Sequence, residues 1–223
     1  STAEEAFHDT VQAFNLAEMY QCPVIILSDL QLSLGKQTVD PLNYEKVKIN
    51  RGKLIKDEQL RALENKDYFK RYELTTDGVS PRVLPGMKNG IHHVTGVEHD
   101  ETGKPSETAE NRKQQMEKRM RKMHSVISHF DNPVHVNGEE ESDILLVGFN
   151  STRGAIEEAM EKLRCEGIKV THAQIRMLHP FPTDILTPFV ANASRVVVVE
   201  NNYTGQLANL IKLNIGYAEK IKH

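Results

Sequence analysis

The last third of the chain alternates short apolar runs with longer stretches in which apolar side chains recur at helical spacing. Three runs are typical of buried strands: residues 144–148, 169–175 and 196–199. Three stretches have the periodicity of amphipathic helices: residues 152–166, 183–190 and 205–213. Gly167 stands where a glycine commonly ends the first of these helices. Repeated β–α units of this length predict a three-layer α/β domain, with a mostly parallel sheet and helices on both faces.

The first 35 residues contain one amphipathic helix and one apolar run. Thr2 and Glu5 have the spacing of a capping box, and the periodicity that follows predicts a helix to about Met19. Residues 24–27 predict a buried strand, and residues 30–34 a short helical turn. One helix and one strand cannot bury a core, so we expect the end of a domain that begins upstream. A chain that starts at Ser1, without Met, fits a piece of a longer protein.

Residues 36–142 are more polar and less regular. We predict a short helix over Asp57–Leu63 and a strand over Tyr68–Leu74, where apolar and polar residues alternate. Residues 77–86 are rich in turn formers, and a loop of this length is usually functional or packed on a partner. Residues 107–122 predict a charged, solvent-exposed helix whose one thin apolar face is formed by three methionines: Met116, Met120 and Met123.

A polar turn follows the four consecutive valines at 196–199. In an open α/β sheet, the carboxyl ends of the strands face the crevice in which ligands or partners bind. The turn at residues 200–206 is therefore a candidate contact site. Its candidate residues are Glu200, Asn201, Tyr203 and Gln206.

Composition narrows the classes of function. The 223 residues carry a net charge of −3 and only 6% aromatic residues, so nucleic-acid binding is not expected. No run of 18 apolar residues and no signal-peptide pattern occurs, so we expect neither a membrane span nor secretion. Cys22 and Cys165 are isolated, so we expect no zinc site and no iron–sulfur cluster held by this chain alone. Two lone thiols fit a cytoplasmic, reducing environment.

The segment Gly148–Gly154 joins a predicted strand to a predicted helix. Ser151 or Thr152 could cap that helix, and its free N–H groups could hold an anion. The glycine pattern of a dinucleotide site and the phosphate-loop pattern are both absent from the sequence. Helix capping is therefore the favoured role of this turn.

Three histidines, His92, His93 and His99, raise the question of a metal site. Adjacent side chains on an extended segment point to opposite faces, and the spacing to His99 matches no common ligand pattern. We therefore expect no metal ion. The sequence also offers no Ser/His/Asp or Cys/His set with the support of a motif. From the residues alone, the chain is an α/β domain with part of another and no catalytic apparatus of its own.

Five segments of the chain together resemble the alpha subunit of 2-oxoacid:ferredoxin oxidoreductases, most nearly the 2-oxoglutarate branch. The first is the helix and apolar run through Ser28-Asp29, and the second is Gly78-Val79-Ser80-Pro81-Arg82 with Leu84-Pro85-Gly86. The others are Thr95–Asp100 with the basic segment after it, Leu178–Pro182, and Val199–Leu207. The resemblance covers nearly the whole chain in the same order.

The resemblance implies a thiamine-diphosphate enzyme that oxidatively decarboxylates a 2-oxoacid, reduces ferredoxin through an iron–sulfur cluster and releases an acyl-CoA. A beta subunit is expected to hold Mg²⁺ with the diphosphate and the cluster. The YPITP-type motif and the substrate loop of the Arg-Gly-Gly-Pro-Ser-Thr type do not occur in this sequence. We therefore expect no catalytic residue here, and no cofactor bound by this fragment alone.

The resemblance also implies a division of the chain. Residues 1–35 would end a pyrimidine-binding domain, 36–142 would connect two domains, and 143–223 would form a transketolase C-terminal-like domain. Arg82, with Ser80 beside it, is the candidate for contacting substrate, coenzyme A or a partner subunit. The alternative is that Arg82 only fixes its loop through an internal ion pair. For the whole chain, a non-catalytic regulatory or assembly module on the same fold is the competing hypothesis.

Overall fold

The structure, a computed structural model, describes residues 2–61 and 68–223. The chain divides into two compact units. The first comprises residues 1–9, 26–43 and 130–223, and the second comprises residues 10–25 and 44–129. The sequence therefore crosses between the units several times, and each unit is described by itself.

A five-stranded sheet forms the centre of the first unit, with strand order β1-β3-β2-β4-β5. Its strands are β1 (Val134–Asn137), β2 (Ile144–Phe149), β3 (Val170–Ile175), β4 (Arg195–Val199) and β5 (Ile221–Lys222). Three strand pairs are parallel, and only the edge pair β1–β3 is antiparallel. In the middle of the sheet, Val147 of β2 lies opposite Ala173 on one side and Val198 on the other. The predicted α/β class is confirmed.

Successive side chains of the central strands enter different cores because side chains alternate across a sheet. Leu145 and Val147 of β2 are fully buried in the larger core, which also includes side chains of α6 (Thr183–Asn192) and α7 (Gln206–Asn214). Leu146 packs in a smaller core with α5 (Arg153–Cys165). The valines of β4 follow the same alternation, so this strand contributes to both cores.

Two sequence signals at helix ends, the capping box of α1 and the glycine after α5, are confirmed. Helix α1 (Ala3–Tyr20) begins with the capping box, in which the Glu5 N–H donates to Thr2 Oγ1 at 3.1 Å and the Thr2 N–H donates to Glu5 Oε2 at 3.0 Å. Helix α5 ends before Gly167, which has a φ of +82°. The Gly167 N–H donates to the carbonyl of Arg164, and such bonds satisfy carbonyls left free at a helix end.

The second unit contains isolated bridges but no strand among its described residues. Its main helix is α4 (Ala109–His124), around which long irregular segments are folded. Helix α2 (Leu30–Leu34), in the first unit, confirms the predicted helical turn. Helix α3 (Asp57–Arg61) confirms the start of the helix predicted over Asp57–Leu63, and residues 62 and 63 lie outside the described residues.

Two predicted strands are wrong. Residues 24–27 form no strand, and their side chains are exposed, by 81% at Ile25 and 60% at Leu27. Tyr68–Leu74 is irregular, and single hydrogen bonds tie it to other loops, such as Phe69 N–H to Ile91 O at 2.7 Å. An apolar or alternating pattern becomes a strand only where a neighbouring strand takes up its backbone groups. No described strand pairs with either segment.

Helix α4 confirms the charged, mostly exposed helix predicted over residues 107–122, but the methionines are not its fully buried residues. Met120 is 58% exposed, whereas Gln115 and Lys118 are buried. The buried face of this helix is therefore polar rather than the thin apolar face formed by methionines. Two short strands, β1 and β5, had no counterpart among the predictions from sequence.

Candidate functional site

The turn after β4 is organised around the Glu200 carboxylate. Its oxygens accept the backbone N–H groups of Leu207 at 2.8 Å and Ala208 at 3.0 Å, in the first turn of α7. The side-chain amide of Asn202 also donates to this carboxylate. A helix N-terminus has free N–H groups and a partial positive charge, so a carboxylate there stabilises the helix. Glu200 is thus engaged within its own turn.

The other candidate residues of this turn face solvent. Tyr203 is 99% exposed, and Asn201 and the Gln206 side chain are exposed as well. Gly205 has a φ of +63°, and a Cβ there would lie 2.8 Å from the ring of His223. The glycine therefore allows a left-handed turn that packs closely against the imidazole. This rigid turn presents Asn201, Tyr203 and Gln206 outward.

Arg82 lies in the second unit and is paired within it. Its guanidinium forms an ion pair with the Glu18 carboxylate near the end of α1, and Nη2 also donates to the carbonyl of Arg51 at 3.1 Å. Only 18% of the Arg82 side chain is exposed. The structure therefore has the internal ion pair, which was the second of the two roles considered for this residue.

Ser80 is buried in the same loop and is hydrogen-bonded on several sides. Its hydroxyl donates to the carbonyl of Glu73 at 2.8 Å and accepts from Lys118 Nζ at 2.9 Å. Its carbonyl accepts the side-chain amide of Gln21 at 2.6 Å. Buried polar groups are stable only when they are satisfied in this way. Ser80 therefore holds the loop in place through bonds within the second unit.

The residue that sequence reasoning missed here is Lys118. Its ammonium is buried under the loop and also donates to the carbonyl of Tyr72 at 2.8 Å. Burial lowers the pKa of Lys118 to about 8, and the positive charges of Arg119 and Lys122 act in the same direction. The loop approaches α4 closely, since a Cβ on Gly78 would lie 2.5 Å from the Lys118 carbonyl oxygen. A lysine in a run of charged residues gave no sign of this burial.

A second charged cluster joins residues 95–100 to α4. The Glu98 carboxylate accepts from Arg119 Nη2 at 2.6 Å and also from Arg112. These guanidinium hydrogen bonds hold the pKa of Glu98 well below its usual range, although burial acts in the opposite direction. Asn111 adds a bond to the carbonyl of His99 at 2.9 Å. The ion cluster is therefore a fixed part of the second unit.

In the first unit, the turn after β2 carries an internal anion. The Asp29 carboxylate accepts the N–H of Ser151 at 2.9 Å and the Ser151 hydroxyl, and it also caps α2 through the N–H of Leu32 at 2.9 Å. Burial raises the pKa of Asp29, but these hydrogen bonds outweigh it and the pKa is lowered. Thr152 stands at the N-cap position of α5, but no side chain caps the helix there, so the predicted side-chain capping is wrong. The Thr152 hydroxyl instead donates to the carbonyl of Phe149.

A cleft of about 540 Å³ opens beside this turn, at the carboxyl end of β2. Its walls are the first residues of α1, the helix α2 with the loop after it, and the start of α5. Arg153 in the wall is paired with Glu157 at 2.7 Å and with Glu5 at 3.1 Å, so its charge is already matched. Among the described residues that line this cleft, none belongs to the turn at 200–206.

The histidines at 92, 93 and 99 serve as loop contacts. His92 Nδ1 lies 2.8 Å from the carbonyl oxygen of Gly90, and the His93 ring packs on Tyr68 with centroids 4.5 Å apart. Within residues 2–61 and 68–223, no group of three or more His, Cys, Asp or Glu could hold a metal ion. Over the same residues, no helix has both the length and the apolar character needed to cross a membrane.

Two family models match this chain. A model described as pyruvate flavodoxin/ferredoxin oxidoreductase, thiamine diP-binding, matches residues 1–118, which is more than half of the chain. A model described as pyruvate:ferredoxin oxidoreductase core domain II matches residues 142–222. The chain therefore belongs to the pyruvate flavodoxin/ferredoxin oxidoreductase family.

Within this family, the relatives confirm the resemblance to 2-oxoacid:ferredoxin oxidoreductase alpha subunits. The subunit alpha from Saccharolobus solfataricus is 38% identical over 95% of this chain, and that of enzyme 2 from Aeropyrum pernix is 39% identical over 93%. The chain spans 33% and 32% of these two relatives, about a third of their length.

A solved structure adds a three-dimensional match. It is the 2-oxoglutarate:ferredoxin oxidoreductase from Magnetococcus marinus with 2-oxoglutarate, coenzyme A and succinyl-CoA bound. It matches with a TM-score of 0.82 and 36% sequence identity, over 93% of this chain and 35% of that chain. The fold of this chain therefore matches about a third of that chain.

Proposed function

We propose that this chain is part of the alpha subunit of a 2-oxoglutarate:ferredoxin oxidoreductase. The enzyme would convert 2-oxoglutarate and coenzyme A into succinyl-CoA and CO₂, with thiamine diphosphate as cofactor and ferredoxin as electron acceptor. The observation that carries the proposal is the match to the Magnetococcus marinus enzyme, with a TM-score of 0.82 at 36% identity. The relatives from Saccharolobus and Aeropyrum, named for 2-oxoacids in general, support the broader class.

The overall reaction fixes which groups the complete enzyme must supply. Loss of CO₂ from the 2-oxoacid leaves an acyl group, which is transferred to the thiol of coenzyme A, and two electrons, which pass to ferredoxin. Thiamine diphosphate supplies the means to stabilise the carbanion formed by decarboxylation. Among the described residues of this chain there is no set of ligands for a metal ion, and the sequence has only two cysteines. We propose that a beta subunit holds Mg²⁺ and the iron–sulfur cluster, as the resemblance to this class of enzyme implies.

Within that enzyme, we propose that this segment has a structural and subunit-contacting role rather than a catalytic one. The Arg82 guanidinium and the Glu200 carboxylate, its best charged candidates, are both bonded within the chain. Asn201, Tyr203 and Gln206 remain exposed on a fixed turn, which suits a contact with another subunit. Substrate and coenzyme A would then be held mainly by other segments of the complex.

We also propose the domain division drawn from the sequence. Residues 1–35 would end a pyrimidine-binding domain, and residues 143–223 would form the transketolase C-terminal-like domain. Residues 36–142 would connect these two domains. The exposed apolar residues 24–27 support the first assignment, because such a run has the character of a strand whose neighbours lie elsewhere in the complete subunit. The second family model, at residues 142–222, supports the last boundary. The first model covers residues 1–118 without a break at residue 35, so it does not separate the first two segments.

The test is an activity assay on the complete enzyme. The full-length alpha subunit is purified together with its partner subunit, and methyl viologen reduction is followed with 2-oxoglutarate and coenzyme A. We expect reduction that depends on both compounds, with a kcat/KM for 2-oxoglutarate above that for pyruvate. A preference for pyruvate would overturn the substrate assignment. No reduction with any 2-oxoacid would overturn the enzyme assignment in favour of a non-catalytic module.

A further inference from the structure

The segment of residues 84–97 presents apolar side chains to solvent. Four of its fourteen residues are large, apolar and exposed: Leu84 by 47%, Ile91 by 72%, Val94 by 76% and Val97 by 61%. Single exposed apolar residues are ordinary on a protein surface, whereas several in one short segment are typical of an interaction site. We call this segment the 84–97 surface.

Hydrogen bonds fix the backbone beneath these side chains. The Ile91 carbonyl accepts the N–H of Phe69 at 2.7 Å, and the His93 N–H donates to the Thr102 carbonyl at 3.0 Å. Gly103 lies so close to this backbone that a Cβ there would be 1.8 Å from the His93 carbonyl oxygen. The apolar residues are therefore held in a defined arrangement. A surface of this kind loses little conformational entropy when it binds.

The charge of the 84–97 surface indicates what it binds. The segment contains Lys88, which is exposed, and two histidines, but no aspartate or glutamate. The nearest acid along the chain, Glu98, is outnumbered by the two arginines that it contacts, Arg112 and Arg119. The surface is thus apolar with a positive surplus. Its complement is an apolar surface with an excess of carboxylates.

We propose that the 84–97 surface docks another subunit of the same enzyme, through a face with an apolar centre and an acidic rim. This proposal rests on the proposed function, because it takes the chain to be part of a multi-subunit oxidoreductase. Stable subunit interfaces have apolar centres, whereas electron-transfer encounters are smaller and weaker. Branched apolar side chains on a fixed backbone therefore favour a permanent subunit contact over the docking of ferredoxin.

Two opposite charges at one position test both parts of the proposal. Val94→Glu and Val94→Lys remove the same apolar contact, but only the glutamate would repel an acidic partner. Leu213→Glu, on the first unit, is the matched control, since Leu213 is 83% exposed. Association of the complete alpha subunit with its partner subunit is measured by analytical ultracentrifugation at low and high salt. Circular dichroism checks that each variant is folded.

We expect both Val94 variants to raise the Kd between the alpha subunit and its partner subunit. At low salt the Kd of Val94→Glu should exceed that of Val94→Lys by about tenfold, and at high salt by less. The control should associate like the wild type. Unchanged association of both Val94 variants overturns the proposal, and so does a greater loss for Val94→Lys. A change confined to self-association of the alpha subunit, or to the KM for ferredoxin, overturns it in favour of that other occupant. Because the readout is assembly, a wild-type complex that assembles without 2-oxoacid activity would refute the proposed function alone.

Discussion

Glu200 offers the sharpest test of whether the turn after β4 is structural or binds a ligand. Its carboxylate accepts the N–H groups of Leu207 and Ala208, and α7 places both of these residues in the larger core together with Ile211. Removing the carboxylate leaves two donors at the helix N-terminus without their acceptor. Glu200→Ala should therefore destabilise the first unit, and Glu200→Gln should do so less, because the amide keeps one acceptor oxygen.

The magnitude follows from the two charge-assisted bonds, of 2.8 and 3.0 Å. Loss of a helix cap costs about 1 kcal/mol, and a carboxylate at the positive end of a helix adds a few tenths to about 1 kcal/mol. We expect Glu200→Ala to lower the free energy of unfolding by about 1–2 kcal/mol, and Glu200→Gln by roughly half of that. For a chain of this size, about 1 kcal/mol corresponds to a decrease in Tm of roughly 2–4 °C.

The assay is urea unfolding followed by circular dichroism at 222 nm. Asn201→Ala, at the exposed neighbouring position of the same turn, is the control and should unfold like the wild type. In the complete enzyme, Glu200→Gln should leave the KM values for 2-oxoacid and coenzyme A within about twofold of the wild type, a difference of under 0.5 kcal/mol. Wild-type stability of Glu200→Ala with a raised KM would refute the reasoning, because the carboxylate would then be serving a ligand.

Three further substitutions have effects that depend on pH. Burial lowers the pKa of Lys118 to about 8 in the folded state, whereas the unfolded chain keeps this proton to higher pH, so the wild type should gain at most about 3 kcal/mol of stability between pH 8 and 10.5. Lys118→Met should remove this gain. Urea unfolding at pH 7.5 and 10 measures it, and an equal change in the free energy of unfolding for the wild type and the variant would contradict the reasoning. Glu98→Gln should lower the free energy of unfolding by about 1–3 kcal/mol at pH 7, and by less below pH 4.5, because the arginines lower the pKa of Glu98 in the folded state. Thermal melts at pH 7 and 3 measure the difference from the wild type, and a difference that grows in acid would contradict the reasoning. Burial lowers the pKa of His172 from 6.5, so the wild type should lose stability as the pH falls below that value. His172→Gln should lose less stability over the same pH range. Thermal melts at pH 7.5 and 5 compare the two proteins, and an equal loss in both would exclude His172 as the cause.

The β–α rhythm of the last 80 residues was readable because it depends on local patterns. Period-two and helical spacing place each element, and Gly167 marks a helix end without reference to the rest of the chain. The strand β1 lacked such a signal, since its four residues include His135 and Asn137 and it pairs only at the edge of the sheet. The two-residue strand β5 is shorter than any pattern can specify.

The failed strand at residues 24–27 shows the limit of local reasoning. Its four apolar residues are indistinguishable in pattern from the valines of β4, which form a buried strand. The difference is that β4 has β2 and β5 on its two sides, whereas no described strand pairs with residues 24–27. Pairing over long distances in the sequence decided the outcome, and a single segment carries no information about it.

The bonds of the candidate residues depend on partners that a local pattern does not reveal. An arginine in a turn-rich loop can face a ligand or an internal acid, and the acid that Arg82 pairs with, Glu18, is 64 residues away in the sequence. Glu200 is closer to its partners, seven and eight residues before the N–H groups that it accepts. A carboxylate at that distance from a helix start is outside the usual capping patterns, so these two bonds have no signature in the sequence.

Burial around helix α4 does not follow the hydrophobic pattern of the sequence. Binary patterning assumes that buried positions are apolar, and here Gln115 and Lys118 are buried because carbonyl groups of the surrounding loop accept their hydrogen bonds. The loop at 77–82, which contains the candidate contact residues Ser80 and Arg82, is thereby part of the interior of the unit. The apolar residues that a sequence pattern would place inside, Ile91 and Val94, are those left outside. The unit also has an apolar core that includes Leu60, Phe69 and Val83, so Ile91 and Val94 are exposed in addition to that core. Exposed apolar residues of this kind are typical of a surface that packs against another protein.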